Sequence, residues 1–194
     1  MKLLLNALIK FLIGLLLVGL LLFLPAGTLA YPGGLLFLCL LFVPMLIMGI
    51  VMLARARDLL RKRLDAKEKQ AAQKGVQSLA GLVFMAGFVL AGLDFRFGWS
   101  DMPLPVVIAA SVIFLIGYGL YAEVMRENAY LSRTVKVEEG QTVISTGLYA
   151  VVRHPMYLAS VLMFLSIPLV MGSWYALIPF AFYLASRYHR GWIG

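Results

Sequence analysis

The sequence has few of the residues on which soluble enzymes depend. Only 13% of its 194 residues are charged, about half of the usual share in a soluble domain, and 62% are hydrophobic. Its single cysteine, Cys39, excludes an internal disulfide and a site built from several cysteines. Its two histidines, His154 and His189, lack the spacing of a zinc site, and neither a Walker loop nor a GxGxxG motif occurs. These absences favour an integral membrane protein.

Long apolar stretches fill most of the chain and predict transmembrane helices. They are Leu3–Leu24, Leu35–Ala54, Ser78–Leu93, Val106–Val124 and the longer block Pro155–Ser186. The first stretch is interpreted as a retained helix, because it is longer than the apolar part of a signal peptide. The last block is too long for one span, and Pro168 and Gly172-Ser173 near its middle predict two short helices in a tight hairpin.

The predicted fold is therefore all-α, a polytopic transmembrane bundle of about six helical segments. We expect one membrane domain covering residues 1–194. Within it, residues 1–77 form an N-terminal hairpin with a basic link, and residues 78–194 form the core.

Basic residues between the apolar stretches predict the orientation of the chain. The net charge is +8, and residues 55–77 hold eight lysines and arginines while residues 125–153 hold four. By the positive-inside rule both segments and both termini are cytoplasmic, here in the cell membrane of a bacterium or archaeon. The expected partners are the lipid bilayer and anionic headgroups rather than nucleic acid. The basic link is interpreted as a solvated helical extension, with a lipid-sensing element as the alternative.

The candidate site lies in the polar stretch from Glu123 to Tyr157. Arg153-His154-Pro155 opens an apolar helix, and the free N–H groups at such a helix start suit a carboxylate. The alternative is that Arg153 and His154 only anchor the helix among the headgroups. Glu123 stands out because it ends an apolar stretch, although it too is compatible with a headgroup-level residue. The valines and Ile144 around Glu138-Glu139-Gly140 predict a short extended hairpin.

Two motifs in this stretch resemble the isoprenylcysteine carboxyl methyltransferases and their bacterial relatives, which lie near the phospholipid N-methyltransferases. Gly147-Leu148-Tyr149 followed by Arg153-His154-Pro155-Met156-Tyr157 is similar to their G-P-Y and R-H-P-x-Y signature. The resemblance covers about residues 123–183. It implies a membrane methyltransferase that uses S-adenosylmethionine and acts on a lipid or lipid-linked acceptor at the cytoplasmic face, with prenylcysteine carboxyl O-methylation favoured.

The resemblance also implies which residues form the site. The cofactor-binding residues would be Val143, Gly147, Leu148, Tyr149, Arg153, His154 and Tyr157. Candidates for a catalytic role are Glu123, Asn128 and Arg153, and no metal is expected. Leu148 stands where the family has proline.

One departure from the family pattern favours other functions. The acidic pair and closing segment that follow the last helix in the family are absent here. The first alternative is therefore an incomplete, non-catalytic membrane relative. The second is a nicotinamide-dependent protein of the sterol-reductase type, which shares a related core. A small transporter ranks last, because the apolar stretches contain few charges.

Overall fold

The computed structural model describes residues 2–55, 57–64, 71–127, 152 and 155–191, and within these ranges it contains seven helices and no strand. The helices are α1 (Lys2–Ala26), α2 (Pro32–Arg55), α3 (Arg57–Leu64), α4 (Ala71–Phe97), α5 (Leu104–Glu127), α6 (Pro155–Val170) and α7 (Leu177–Gly191). Helices α1, α2, α4 and α5 are long and apolar enough to cross a membrane. The predicted all-α membrane fold is confirmed.

The helix bounds differ from the predicted ones mainly at the basic link. Helix α4 begins at Ala71, seven residues before the predicted start at Ser78, and α3 is a separate helix of eight residues. The predicted tight hairpin is present, because α6 and α7 are joined by a turn around Gly172, whose φ is 78°. The extended hairpin predicted around Glu138-Glu139-Gly140 lies outside the described residues.

Aromatic rings form the centre of the bundle. Phe37 of α2 lies 5.5 Å from Phe88 of α4 and 6.1 Å from Phe114 of α5, measured between ring centroids. Phe180 of α7 packs against Phe84 of α4 at 5.1 Å. Lipid tails are as apolar as these rings, so close van der Waals packing, rather than exclusion of water, favours association of the helices.

Glycines allow two helix pairs to approach closely. A Cβ atom added at Gly92 of α4 would lie 2.5 Å from the backbone oxygen of Leu22 in α1. A Cβ atom added at Gly117 of α5 would lie 3.2 Å from the carbonyl oxygen of Ala159 in α6. Such small residues at helix contacts are typical of membrane bundles.

A buried carboxylate joins the loops at one end of the bundle. Asp94, near the end of α4, is 1% exposed and accepts hydrogen bonds from Ser100 N and Ser100 Oγ, both at 2.7 Å. It also accepts a hydrogen bond from Ser173 Oγ in the α6–α7 turn. Ser100 Oγ in turn accepts the N–H of Trp174 at 3.1 Å. We call Asp94, Ser100, Ser173 and Trp174 the Asp94 cluster.

Tyr31 adds the α1–α2 link to the same end. Its hydroxyl donates to the carbonyl oxygen of Met171 at 2.6 Å, and its side chain is 2% exposed. Burial, and to a lesser degree the nearby Asp94 carboxylate, raises the pKa of Tyr31 far above its usual range. The hydroxyl therefore remains a neutral donor. The α1–α2 link, the α4–α5 loop and the α6–α7 turn thus meet at one place.

Replacing Gly92 by alanine tests the α1–α4 contact. We expect Gly92→Ala to lower the free energy of unfolding by about 1–3 kcal/mol, because the new methyl group meets backbone rather than a flexible side chain. Gly81→Ala on the same helix is the matched control, since a Cβ there meets nothing within 4 Å. The control should gain up to about 1 kcal/mol from helix propensity. Thermal unfolding in detergent measures both, and equal Tm values for the two variants would contradict the contact.

Removing the Asp94 carboxylate tests the loop cluster. We expect Asp94→Ala to lower the unfolding free energy by about 2–4 kcal/mol, because two serine hydroxyls and one N–H lose a charged acceptor. Asp101→Ala in the α4–α5 loop removes an exposed carboxylate and should leave Tm nearly unchanged. Unfolding in increasing concentrations of a denaturing detergent measures the free energy of unfolding of both variants. A decrease in Asp94→Ala no larger than that in Asp101→Ala would disprove the role of Asp94.

Candidate functional site

The end of the bundle opposite the Asp94 cluster brings the candidate residues on α5 and α6 together. Helices α5 and α6 form the most extensive helix pair, and the chain passes along them in opposite directions. Gly117 of α5 lies beside Ala159 of α6. Glu123 is about 9 Å further along α5, and Pro155 is about 6 Å further back on α6. Glu123 therefore lies nearly level with Pro155 at the start of α6.

The start of α6 has the features of an anion-binding helix end. Pro155 is the first helical residue, as predicted, and its side chain is buried. Proline suits this position because its φ is preset and it has no N–H to leave unsatisfied. The N–H groups that follow have no partner within the helix, and they carry the positive end of the helix dipole.

Tyr157 lies in that first turn and presents an aromatic ring with 64% exposure. One turn later, the hydroxyl of Ser160 donates back to the carbonyl oxygen of Met156 at 2.8 Å. The helix start thus combines backbone donors with an accessible aromatic face. A carboxylate suits the donors, and a cation suits the ring.

Glu123 forms an ion pair with Arg126 at the end of α5. The Arg126 Nε donates to Glu123 Oε2 at 2.8 Å, and a second guanidinium nitrogen contacts Oε1. The side chains are 36% and 75% exposed for Glu123 and Arg126, respectively. Such exposed pairs contribute little to stability, so the carboxylate is accessible without being essential to the fold.

Most of the predicted site residues lie outside the described residues. These are Asn128, Val143, Gly147, Leu148, Tyr149, Arg153 and His154. Among the predicted residues that are described, the structure places Glu123 and Tyr157 at the same end of neighbouring helices. Their proposed roles stay predictions.

Two tyrosines near Glu123 were not among the predicted residues. Tyr118 is partly buried and packs near Phe114, with ring centroids 6.3 Å apart. Tyr121 contacts the apolar residues that join α2 and α3. Their hydroxyl groups, in an otherwise apolar segment shortly before Glu123, are the sequence signal that distinguishes them from the neighbouring residues.

The apolar cleft in the described part of the chain lies away from this site. It has a volume of about 820 Å³ and runs along α1 from Leu12 into the following link at Leu29, with Leu38 of α2 at its side. Seven of its eleven lining residues are leucine, and the one polar side chain among them is that of Thr28. The lining therefore suits apolar chains rather than catalysis.

Comparison with known proteins bears directly on the α5–α7 region. Residues 105–190, somewhat under half of the chain, match the family model described as phospholipid methyltransferase. Neither curated proteins nor solved structures gave a match. The matched segment contains all of α6, nearly all of α5 and α7, and the residues on which the resemblance rests. The finding supports a membrane methyltransferase family for this chain and does not distinguish the isoprenylcysteine carboxyl methyltransferases within it.

Proposed function

We propose that this protein transfers a methyl group from S-adenosylmethionine to a lipid or lipid-linked acceptor at the cytoplasmic face of the membrane. The family match over residues 105–190 carries the proposal. The fold supports it, because α5 and α6 meet where the matched segment has its polar residues. That end of the bundle is also the one that the basic residues assign to the cytoplasm.

The start of α6 fits the charged parts of S-adenosylmethionine. Its first N–H groups, which have no acceptor within the helix, would hold the methionine carboxylate together with Arg153 and His154. The exposed ring of Tyr157, with Tyr149, would lie by the positive sulfonium. Val143, Gly147 and Leu148 would line the rest of the pocket. When bound, the cofactor supplies an activated methyl group whose transfer needs no metal.

Two classes of acceptor suit this site, and a different observation favours each. The family description favours the amine of a phospholipid headgroup. The R-H-P-x-Y motif favours a prenylcysteine-type carboxylate. A carboxylate is already ionised and needs no base, whereas an ammonium must lose a proton before it can attack. Glu123 is the described carboxylate at this end that could take that proton, and Arg126 would hold it in place.

Binding of S-adenosylmethionine is the direct test of the cofactor site. We expect saturable binding to the detergent-purified chain by calorimetry, and a loss of about 10–100-fold in affinity in His154→Ala, because a charge-assisted hydrogen bond to the carboxylate is removed. His189→Ala, which changes the other histidine, is the matched control and should bind like the parent.

Equal affinity in His154→Ala and the parent would contradict the role of His154. Absence of binding by the parent would contradict the proposed function. Binding of a reduced nicotinamide cofactor instead would then favour the reductase, and binding of neither cofactor would favour a non-catalytic relative.

Replacing Glu123 distinguishes the two acceptors. With a phospholipid amine as acceptor, we expect Glu123→Gln to lower kcat by about 100-fold or more, because the proton acceptor is lost. With a prenylcysteine carboxylate as acceptor, turnover should remain close to that of the parent. Transfer of a labelled methyl group to each lipid in nanodiscs measures both.

Two controls accompany the Glu123 variant. Arg126→Gln keeps the carboxylate but breaks the ion pair, so it should retain more amine methylation than Glu123→Gln does. The Tm of Glu123→Gln should stay near that of the parent, since the pair is exposed. Full amine methylation by Glu123→Gln would exclude Glu123 as the base.

A further inference from the structure

Helix α3 is held firmly against the membrane helices rather than standing free in solution. Its Leu60 is 7% exposed and packs with Met52 of α2. Leu3 of α1, Leu64 and Tyr121 of α5 pack against the same pair. The apolar residues of α3 therefore fix its position at the Glu123 end of the bundle.

Two polar contacts attach the ends of this short helix to α2 and α1. Arg57 Nε donates to the carbonyl oxygen of Leu53, one turn earlier in α2, at 3.0 Å. Lys10 Nζ of α1 donates to the carbonyl oxygen of Leu64, the last residue of α3. A cation at a helix C-terminus satisfies otherwise unpaired carbonyl groups and opposes the helix dipole. An eight-residue helix is marginal alone, so these contacts explain its stability here.

The exposed side of α3, next to its apolar residues, presents positive charge. Arg57 and Arg61 of α3 are exposed, as is Arg55 at the end of α2, and we call these three residues the α3 basic surface. Residues 55–64 carry five basic side chains and one acidic one. In the part of the chain that the structure describes, neither Arg55 nor Arg61 has an ion-pair partner. The charge is therefore available to an external anion.

The position of this surface indicates which kind of anion it meets. Arg57 and Arg61 are one turn apart on α3 and adjoin the apolar stripe of Leu60 and Leu64. Helix α2, which α3 follows directly, is long and apolar enough to span the membrane and ends at Arg55. A helix at this level, with an apolar stripe flanked by arginines, lies where phosphate headgroups are found.

We propose that the α3 basic surface binds the headgroups of anionic phospholipids in the leaflet around the Glu123 end of the bundle. The attraction is charge complementarity between guanidinium groups and lipid phosphates, which acts over about one Debye length. Leu60 sets the height of α3 relative to the lipid, and the arginines select anionic over zwitterionic headgroups. This binding requires no S-adenosylmethionine and is independent of the proposed methyl transfer.

Energy transfer to labelled lipids in nanodiscs tests the proposal. A donor dye is attached at Ala54→Cys in a Cys39→Ser background, and the acceptor dye is on the acyl chain of either phosphatidylglycerol or phosphatidylcholine, so that both headgroups are intact. We expect stronger transfer to phosphatidylglycerol at low salt, and loss of the difference at 1 M NaCl (about 3 Å Debye length). Arg55→Gln and Arg61→Gln should each lower the preference by up to about fivefold. Arg57 is left in place because it also binds Leu53 O.

Two control variants show whether the lipid preference depends on the positive charge of this surface. The double variant Arg55→Lys, Arg61→Lys keeps the charge and should keep the preference. Arg96→Gln removes an exposed arginine at the opposite end of the bundle and should change nothing. Equal transfer to both lipids in the parent, or a preference that survives in the double variant Arg55→Gln, Arg61→Gln, would overturn the proposal. Because no cofactor is present, neither result depends on whether the protein is a methyltransferase.

Discussion

The carboxylate of Asp94 is the contact on which the arrangement of the helices depends most. It accepts hydrogen bonds from the loop after α4 and from the α6–α7 turn, while Tyr31 ties the α1–α2 link to that same turn. Helices in lipid gain little from excluding water between them, so a satisfied buried polar cluster has a large share in choosing one arrangement. A buried carboxylate without these donors would be strongly unfavourable, which makes the arrangement specific.

Fixing one end of the bundle also determines the position of the other. The helices are rigid rods, and α5 alone is about 36 Å long. Ser100 in the loop before α5 and Ser173 just after α6 both donate to Asp94, which holds the start of α5 near the end of α6. Gly117 allows the two helices to pack closely. The end of α5 and the start of α6 therefore meet, which brings Glu123 and the first turn of α6 to the same level. The chemistry proposed here is at one end of the bundle, and the contacts that stabilise the bundle are at the other.

The Glu123 end combines three kinds of group that a lipid-modifying enzyme needs near the headgroups. The start of α6 offers backbone donors, Tyr157 offers an aromatic face, and α3 offers positive charge. The first two would serve the cofactor, and the third would act on the surrounding lipid. Tyr121 connects the end of α5 with α3, because it lies two residues before Glu123 and packs against the apolar residues of α3.

Local patterns in the sequence determined the membrane class, the number and approximate bounds of the long helices, the hairpin at Gly172 and the start of α6 at Pro155. Each of these depends on neighbouring residues alone: an apolar length that matches the bilayer, a proline that suits a helix start, or a glycine that tolerates a positive φ. The motifs around His154 also suggested the methyltransferase function, which the match over residues 105–190 supports at the level of the family.

Only the tertiary structure showed that Asp94 is buried, that Tyr31 donates to Met171, and that α3 is a separate helix attached by Leu60 and Lys10. In the sequence, Asp94 directly follows the apolar stretch that ends at Leu93, and Lys10 lies within the first apolar stretch, and neither position reveals its partner. Hydrogen bonds between residues 79 or 140 positions apart depend on how the helices pack, and helix packing follows from the combined shape of many side chains rather than from any local pattern.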